Sequence, residues 1–379
     1  MKIDQFFYKS EEWHTLSDES NSTQGKAQLV LAFGEREILE RIKPYEHLRK
    51  LYPVAEIIIN STSGEIYPDG VQDHTVVVTA IQFDKTTIKS TKISINDYTE
   101  SFEAGKQIAE ALDQPDLNSI FIISDGGKVN GSALIAAFNE RFDKNVPITG
   151  GLAGDGTAFE KTVVGLNAEP ESGQIAAVGF YGKSLHVGHG SVGGWDVYGP
   201  EREITKSAYN VLYKIGDKQA LDLYKEYLGN YASSLPGGAL YFPLSIKATP
   251  DSEPLVRTIL SIDENEKSMT FAGEMPEGAL VRFMKANFDR LIDASSTAAQ
   301  NTYRSFSQPP ELAILISCVG RKLVLGQRTE EEIEVAKEIF GDSTCLTGFY
   351  SYGEISPLVA GTRCELHNQT MTITTFTED

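Results

Sequence analysis

The chain is punctuated by short apolar runs that end in glycine. Residues 29–33, Leu-Val-Leu-Ala-Phe, run into Gly34, and a 3.6-residue periodicity then passes through Ile38, Leu39, Ile42 and Leu48. A brief apolar run bounded by turn residues predicts a strand buried on both faces, and the periodic stretch predicts a helix. A strand over 55–59, the loop Ser61-Thr62-Ser63-Gly64-Glu65-Ile66 and a strand over 75–83 complete the set. The same order then returns. A strand over 119–124 ends in Asp125-Gly126-Gly127, a helix spans 132–142, and a glycine loop at 147–156 leads to a strand over 161–166. The third instance is a strand over 312–317 ending in Cys318-Val319-Gly320-Arg321, a helix over 330–340, the loop 345–355, and strands near Val359 and over 371–376. Ile148-Thr149-Gly150 aligns with Leu346-Thr347-Gly348, and Ser63-Gly64-Glu65-Ile66 with Tyr352-Gly353-Glu354-Ile355. A recurring order of this kind indicates related units.

Strands alternating with helices favour sheets covered by helices. The successive strands over 161–166, 174–181 and 185–188, and over 256–262, 268–272 and 279–284, require mixed sheets. The expected fold is therefore α/β to α+β, with two related lobes of mixed β-sheets covered by helices. Residues 1–27 read as a polar, irregular extension, residues 28–216 as the first domain and residues 217–379 as the second. A helix over 218–228 and the turn-rich Ser233-Ser234-Leu235-Pro236-Gly237-Gly238 bridge them. A helix over 286–302 is expected to put Phe288, Leu291, Ile292 and Ala299 on its core face.

Charge narrows the partners. Fifty-three acidic residues against 34 basic ones give a net charge of −19 over 379 residues. Such a surface repels phosphate backbones and anionic lipid, which argues against nucleic acid and membrane as partners. The longest apolar stretch, around Leu312 to Ile316, is far below the ~20 residues of a membrane span. The N-terminus lacks a cationic leader with an apolar core, so no signal peptide is expected. Cys318, Cys345 and Cys364 form no CxxC pattern and read as reduced thiols of a cytoplasmic protein.

No GxxxxGK[ST], HExxH or GxSxG is present. Gly188-His189-Gly190-Ser191-Val192-Gly193 fits GxGxxG, yet Gly194-Trp195-Asp196-Val197-Tyr198-Gly199-Pro200 cannot open the helix that a nucleotide site needs, and the motif reads as a glycine-rich turn. Cys318 lies at a strand end, either as an exposed thiolate with Arg321 lowering its pKa or as a small buried thiol. Arg321 is either an anchor for a carboxylate or an internal ion pair. Glu65 and Glu354 sit in matching loops, able to receive an amino group or hydroxyl, or else to pin those loops. Gly64, Gly150, Gly151, Gly154 and Gly353 permit close backbone approach to a ligand, and tight turns explain them equally. His186 and His189, three apart on a strand, face opposite ways and cannot share a metal from one face. One imidazole suffices for a haem iron. Flanking Gly188 and Gly190 favour His189 over His186.

These motifs together resemble a known family. Ser61-Thr62-Ser63-Gly64-Glu65-Ile66 with Ile148-Thr149-Gly150-Gly151-Leu152-Ala153-Gly154-Asp155 resembles the N-terminal FIST domain. Cys318-Val319-Gly320-Arg321, Leu325-Gly326 and Gly348-Phe349-Tyr350-Ser351-Tyr352-Gly353-Glu354-Ile355 resemble the C-terminal FIST domain. Trp195, 204–207 and 220–229 are similar to the family's junction. The resemblance implies an intracellular sensory module for a small, amino-acid-like ligand, acting on a signalling protein such as a histidine kinase or a diguanylate cyclase. It implies a ligand site among Ser63, Gly64, Glu65, Gly150, Gly151, Gly154, Asp155, Cys318, Arg321, Tyr350, Tyr352, Gly353 and Glu354. Residues 271–278 and 284–293 are similar to a branch of haem-binding nitric oxide sensors, which implies haem as cofactor; the strand residues themselves offer His189, or else His186, for its iron. The competing expectation is a thiol-dependent enzyme using Cys318 with Arg321 as anion anchor.

Overall fold

The structure, a computed structural model, describes residues 1–16, 22–235, 237–303, 308–359 and 361–379. Asp18-Glu19-Ser20-Asn21 of the expected irregular segment and Pro236 of the expected bridge lie outside the described residues.

Each recurring unit folds into the same three-stranded kernel. In the first, Glu56–Ser61 lies parallel to Leu29–Gly34, and Val76–Gln82 returns antiparallel on the other side. In the second, Ile148–Leu152 lies parallel to Leu117–Ser124, and Gln174–Tyr181 returns antiparallel. In the third, Cys345–Ser351 lies parallel to Leu312–Cys318, and Met371–Glu378 returns antiparallel. A fourth strand, which precedes each kernel in the chain, pairs antiparallel with the return strand: Lys2–Lys9, Thr87–Ser94 and Leu185–Val192. The mixed sheets covered by helices match the fold read from the sequence, with the unit occurring twice before residue 182 and once after it.

The units are interwoven. The hairpin Glu65–Tyr67/Gly70–Gln72 leaves the first unit and adds to the parallel edge of the third at Cys345–Ser351. The hairpin Gly353–Pro357/Cys364–His367 leaves the third and adds to Ile148–Leu152 of the second. Val164–Leu166 leaves the second and adds to Glu56–Ser61 of the first. Each unit thus completes the sheet of another, in a closed cycle.

Strand alternation explains why these strands read as unbroken apolar runs, since side chains on both faces are buried. Leu29, Leu31 and Phe33, Phe121 and Ile123, and Leu312, Ile314 and Ile316 face one core shared by all three sheets. The intervening Val30 and Ala32, Ile120 and Ile122, and Ala313 and Leu315 face three separate cores. Helices Arg36–Ile42 and Tyr45–Leu51, Ser101–Leu112 and Gly131–Arg141, and Phe288–Tyr303 and Glu331–Phe340 cover these outer faces.

Between Leu185–Val192 and helix Phe288–Tyr303 the third unit carries an inserted antiparallel sheet, from Asp196–Ala208 to Leu280–Lys285. This sheet packs its own core, including Ile204, Leu212, Phe271 and Phe283, around helix Ala220–Leu228.

Three expectations change. Residues 1–27 are not an irregular extension, because Lys2–Lys9 pairs along Val76–Gln82 and turns back as Glu12–Thr15. The polar Asp4 and Gln5, which made this segment look irregular, are buried along with Phe6 and Tyr8. The glycine-rich stretch at 188–193 is not a turn, for the strand runs on to Val192 against Met371. Gly190 is needed there because an added Cβ would meet the carbonyl of Ala298 in the covering helix. Phe288 is 42% exposed, since it is the first residue of its helix and precedes the buried stripe of Leu291, Ile292 and Ala299.

Candidate functional site

The loops singled out in the sequence meet where the units exchange strands. Ser63 N–H donates to the Tyr350 carbonyl and Tyr350 N–H to the Gly64 carbonyl, each at 2.8 Å. Gly154 N–H reaches the Ser61 carbonyl at 3.0 Å, and Tyr352 N–H the Leu152 carbonyl at 3.2 Å. Gly154 lies so close to Ser63 that a Cβ would overlap its hydroxyl. Asp155 accepts from Arg36 Nε at 2.9 Å and from the Lys161 amide at 3.1 Å. Gly151 and Gly353 sit opposite Glu354 and Leu152 on the Ile148–Leu152 edge. Ser63, Gly64, Gly154, Asp155, Tyr350, Tyr352 and Gly353 therefore form one cluster, and backbone pairing between units uses most of their polar groups.

Glu65 and Glu354 occupy equivalent places in two units, and both are fully buried. Glu65 accepts from the hydroxyls of Thr62 and Thr75. Glu354 accepts from Ser351 at 2.7 Å and from Thr370 Oγ1 at 2.9 Å. Burial pushes each carboxyl up to about 8, more strongly than these hydrogen bonds hold it down. Both are neutral acids over much of the physiological range.

Arg321 is committed elsewhere. Its Nη2 lies 2.8 Å from Glu332 Oε2, Nη1 donates to the Gly193 carbonyl at 2.7 Å, and Nη2 also donates to the Leu291 carbonyl at 2.8 Å. Glu332 in turn accepts from Tyr350 Oη at 2.7 Å and Ser317 Oγ at 3.0 Å. The arginine pins the strand-to-insertion crossing to two helices and has no free edge for an incoming carboxylate. Cys318 is buried, and that burial raises its thiol well above the ordinary value, with Glu354 adding to the effect and Arg321 only partly opposing it. Its surroundings do not favour a thiolate nucleophile.

His186 and His189 do face opposite sides of their strand. His186 bonds Asp379 at 2.8 Å and is half-exposed. His189 faces inward, where burial lowers its pKa and a ring nitrogen bonds the Pro357 carbonyl. Its Nδ1 is buried without a partner. Gly190 faces the covering helix, on the side of the strand away from His189. The unpartnered Nδ1 is the one feature of the site that fits an iron.

Two buried polar residues were missed by the sequence reading. Arg257, at the end of Leu255–Arg257, is 5% exposed and bonds only carbonyls: Glu274 at 3.3 Å, Val256 at 3.3 Å and Leu366 at 3.1 Å. Asn368, just past Cys364–His367, is fully buried with neither amide atom bonded. No local motif marks either residue.

No helix of the described residues is long and apolar enough to cross a membrane. A model of the FIST N domain matches residues 28–218, and a model of the FIST C domain matches residues 220–357. The two matches part inside the inserted sheet, beside helix Ala220–Leu228. Comparison with curated proteins returned no match.

Proposed function

The chain belongs to the FIST family, and on that premise we propose that it is a small-ligand sensor that passes its signal to a separate protein. FIST domains are associated with signal-transduction sensors, and the observation that carries the reading is the match of both domains across residues 28–357. The interwoven sheets support it mechanically. Gly353–Pro357, within the FIST C match, completes a sheet of the FIST N match, so a ligand that moves one domain is felt in the other. The ligand is amino-acid-like, and the output is a histidine kinase or diguanylate cyclase that the sensor touches in the cytoplasm. The unpaired thiols Cys318, Cys345 and Cys364 accord with a reducing compartment. A thermal-shift screen of the twenty amino acids, followed by kinase and cyclase assays with and without the hit, tests this. Binding without turnover and a changed output rate is the expected result. Chemical conversion of the bound compound would overturn the reading in favour of an enzyme, for which buried Cys318 is a poor nucleophile.

A second reading, favoured by the unpartnered Nδ1 of His189, is a haem-based nitric oxide sensor. Its test is the visible spectrum after haem supplementation. An intense Soret band that His189→Ala abolishes would support it, and an unchanged spectrum in that variant would end it.

A further inference from the structure

Each kernel has a fourth strand on its outside, and the three are finished differently. Lys2–Lys9 is covered by Glu12–Thr15. Thr87–Ser94 ends its sheet half-exposed and carries Lys89 and Lys92, charges of the kind that keep a free edge from pairing. Leu185–Val192 also ends its sheet, with neither a covering strand nor a lysine. Its free backbone groups follow from the pairing. The Asp379 amide donates to the Ser184 carbonyl at 3.0 Å, so the even-numbered residues turn their N–H and C=O toward Met371–Glu378. The odd-numbered residues turn theirs outward, and the Leu185 carbonyl accordingly accepts from Asn118 Nδ2 at 2.9 Å. Val187 and His189 come next, and no backbone group of either is hydrogen-bonded among the described residues.

This edge borders a cleft of about 290 Å³, lined by Val187 and His189 of the third unit and by Asn118, Lys144 and Asn145 of the second. Its size is at the lower end of small-molecule pockets, which run from ~300 to ~1,000 Å³. The charge of the cleft departs from that of the chain. Acids outnumber bases by 53 to 34 overall, yet no acidic side chain lines it. Its one lysine, Lys144, makes no ion pair or hydrogen bond among the described residues. His186, which also lines it, is already tied to Asp379. The cleft therefore offers two N–H and two C=O groups in strand geometry beside one uncommitted cation.

We propose that this cleft binds a short peptide in extended form, whose backbone pairs with Val187 and His189 as one more strand and whose terminal carboxylate meets Lys144. Strand addition draws its affinity from the main-chain groups that a sheet edge leaves free. Only a molecule with amide N–H and C=O groups at strand spacing can use both residues at once. A carboxylate is the counter-ion that a lone ammonium accepts as a point charge. The inference deepens the sensor reading by naming a site and narrowing an amino-acid-like ligand to a peptide. It rests on that reading only for what binding signals.

Thermal unfolding and amide hydrogen exchange of the full chain test it, with trialanine as the probe. At saturating concentration trialanine should raise Tm by about 2 °C or more and slow exchange over 185–190. Trialanine amide, trialanine methylated on both peptide nitrogens, and free alanine should each bind at least about tenfold more weakly. Lys144→Met should respond equally to trialanine and its amide. Val187→Pro removes an outward N–H and no bond to Met371–Glu378, so it should keep the sheet and lose the response. If trialanine leaves wild type unchanged, if the methylated peptide or free alanine matches it, or if both variants respond as wild type does, the proposal is overturned. Should Val187→Pro fail to fold, Lys144→Met decides: lost discrimination between acid and amide supports the site, and retained discrimination refutes it. Binding with no change in kinase or cyclase output would overturn the sensor reading and leave the peptide site standing.

Discussion

Arg321 and Glu332 form an ion pair in which neither side chain has any solvent exposure, with Nη2 2.8 Å from Oε2. The pair is completed by Tyr350, Ser317, Ser295 and two backbone carbonyls. Its function is to fix the crossing at Gly193 where the chain leaves the third sheet for the insertion. Removing one partner strands a buried charge, so Glu332→Gln or Arg321→Met should each cost roughly 3–5 kcal/mol. The double substitution Arg321→Met with Glu332→Gln should cost less than the sum of the two. Chemical denaturation of all four proteins checks the coupling, and additive losses would contradict it.

Stability should fall as the pH rises from about 5 to 8. Glu65 and Glu354 have folded-state pKa values near 8, above the 4.5 of the free side chain. Their contribution is complete below the lower value and is lost as pH climbs through the upper one. The slope is about 1.4 kcal/mol per pH unit for each group within that window. Glu65→Gln with Glu354→Gln keeps the neutral hydrogen-bonding shape, and should flatten the Tm-against-pH curve and exceed wild type at pH 8. A wild-type Tm that climbs from pH 5 to 8, with the double variant parallel to it, would count against this account.

Gly150 and Gly348 hold equivalent places, with φ of 145° and 157°. At each, an added Cβ would run into the carbonyl of the neighbouring parallel strand, from Ile122 or Leu315. The obstacle is backbone in the middle of a sheet and cannot swing aside. Gly150→Ala and Gly348→Ala should each destabilise by ~4 kcal/mol or more, in the range reserved for backbone clashes and core disruption. Soluble yield and Tm measure this, and near-native values for either would show that the sheet yields more than its pairing suggests.

Residues 1–219 and 220–379 should not fold separately, even though the family match divides there. The first fragment lacks the strand that completes Ile148–Leu152, and the second lacks both Leu185–Val192 and Glu65–Tyr67. Each would expose unpaired sheet edges of the kind that aggregate. Circular dichroism and proteolysis of the fragments, alone and mixed, test this. A cooperative transition in either fragment alone would be the contrary result.

The kernels were legible in the sequence because they are local. Leu29–Gly34, Leu117–Ser124 and Leu312–Cys318 announce themselves as apolar runs, and the matched tripeptides at Gly150 and Gly348 fall on equivalent positions in space. The exchange of hairpins was not legible, since nothing in Glu65-Ile66 states that its partner is Gly348-Phe349, about three quarters of the chain away. Arg321 was legible as a charged residue at a strand mouth. Its role depended on Glu332, which the sequence places on a helix face like any other solvated acid. Arg257 and Asn368 were invisible for the same reason: a missing partner is a property of the folded neighbourhood.

The cyclic exchange also sets when the protein can exist. Gly150 pairs with Ile355, so the second sheet remains incomplete until about 200 more residues have left the ribosome. At ~5–20 residues per second that is a wait of roughly 10–40 seconds. During it, the edge at Ile148–Leu152 has only Leu117–Ser124 beside it. Pairings of such long sequence separation are intrinsically slow to form. The nascent first half is therefore a client for whatever shields exposed strands during translation, and its maturation is a single late event governed by the emergence of Gly353–Pro357.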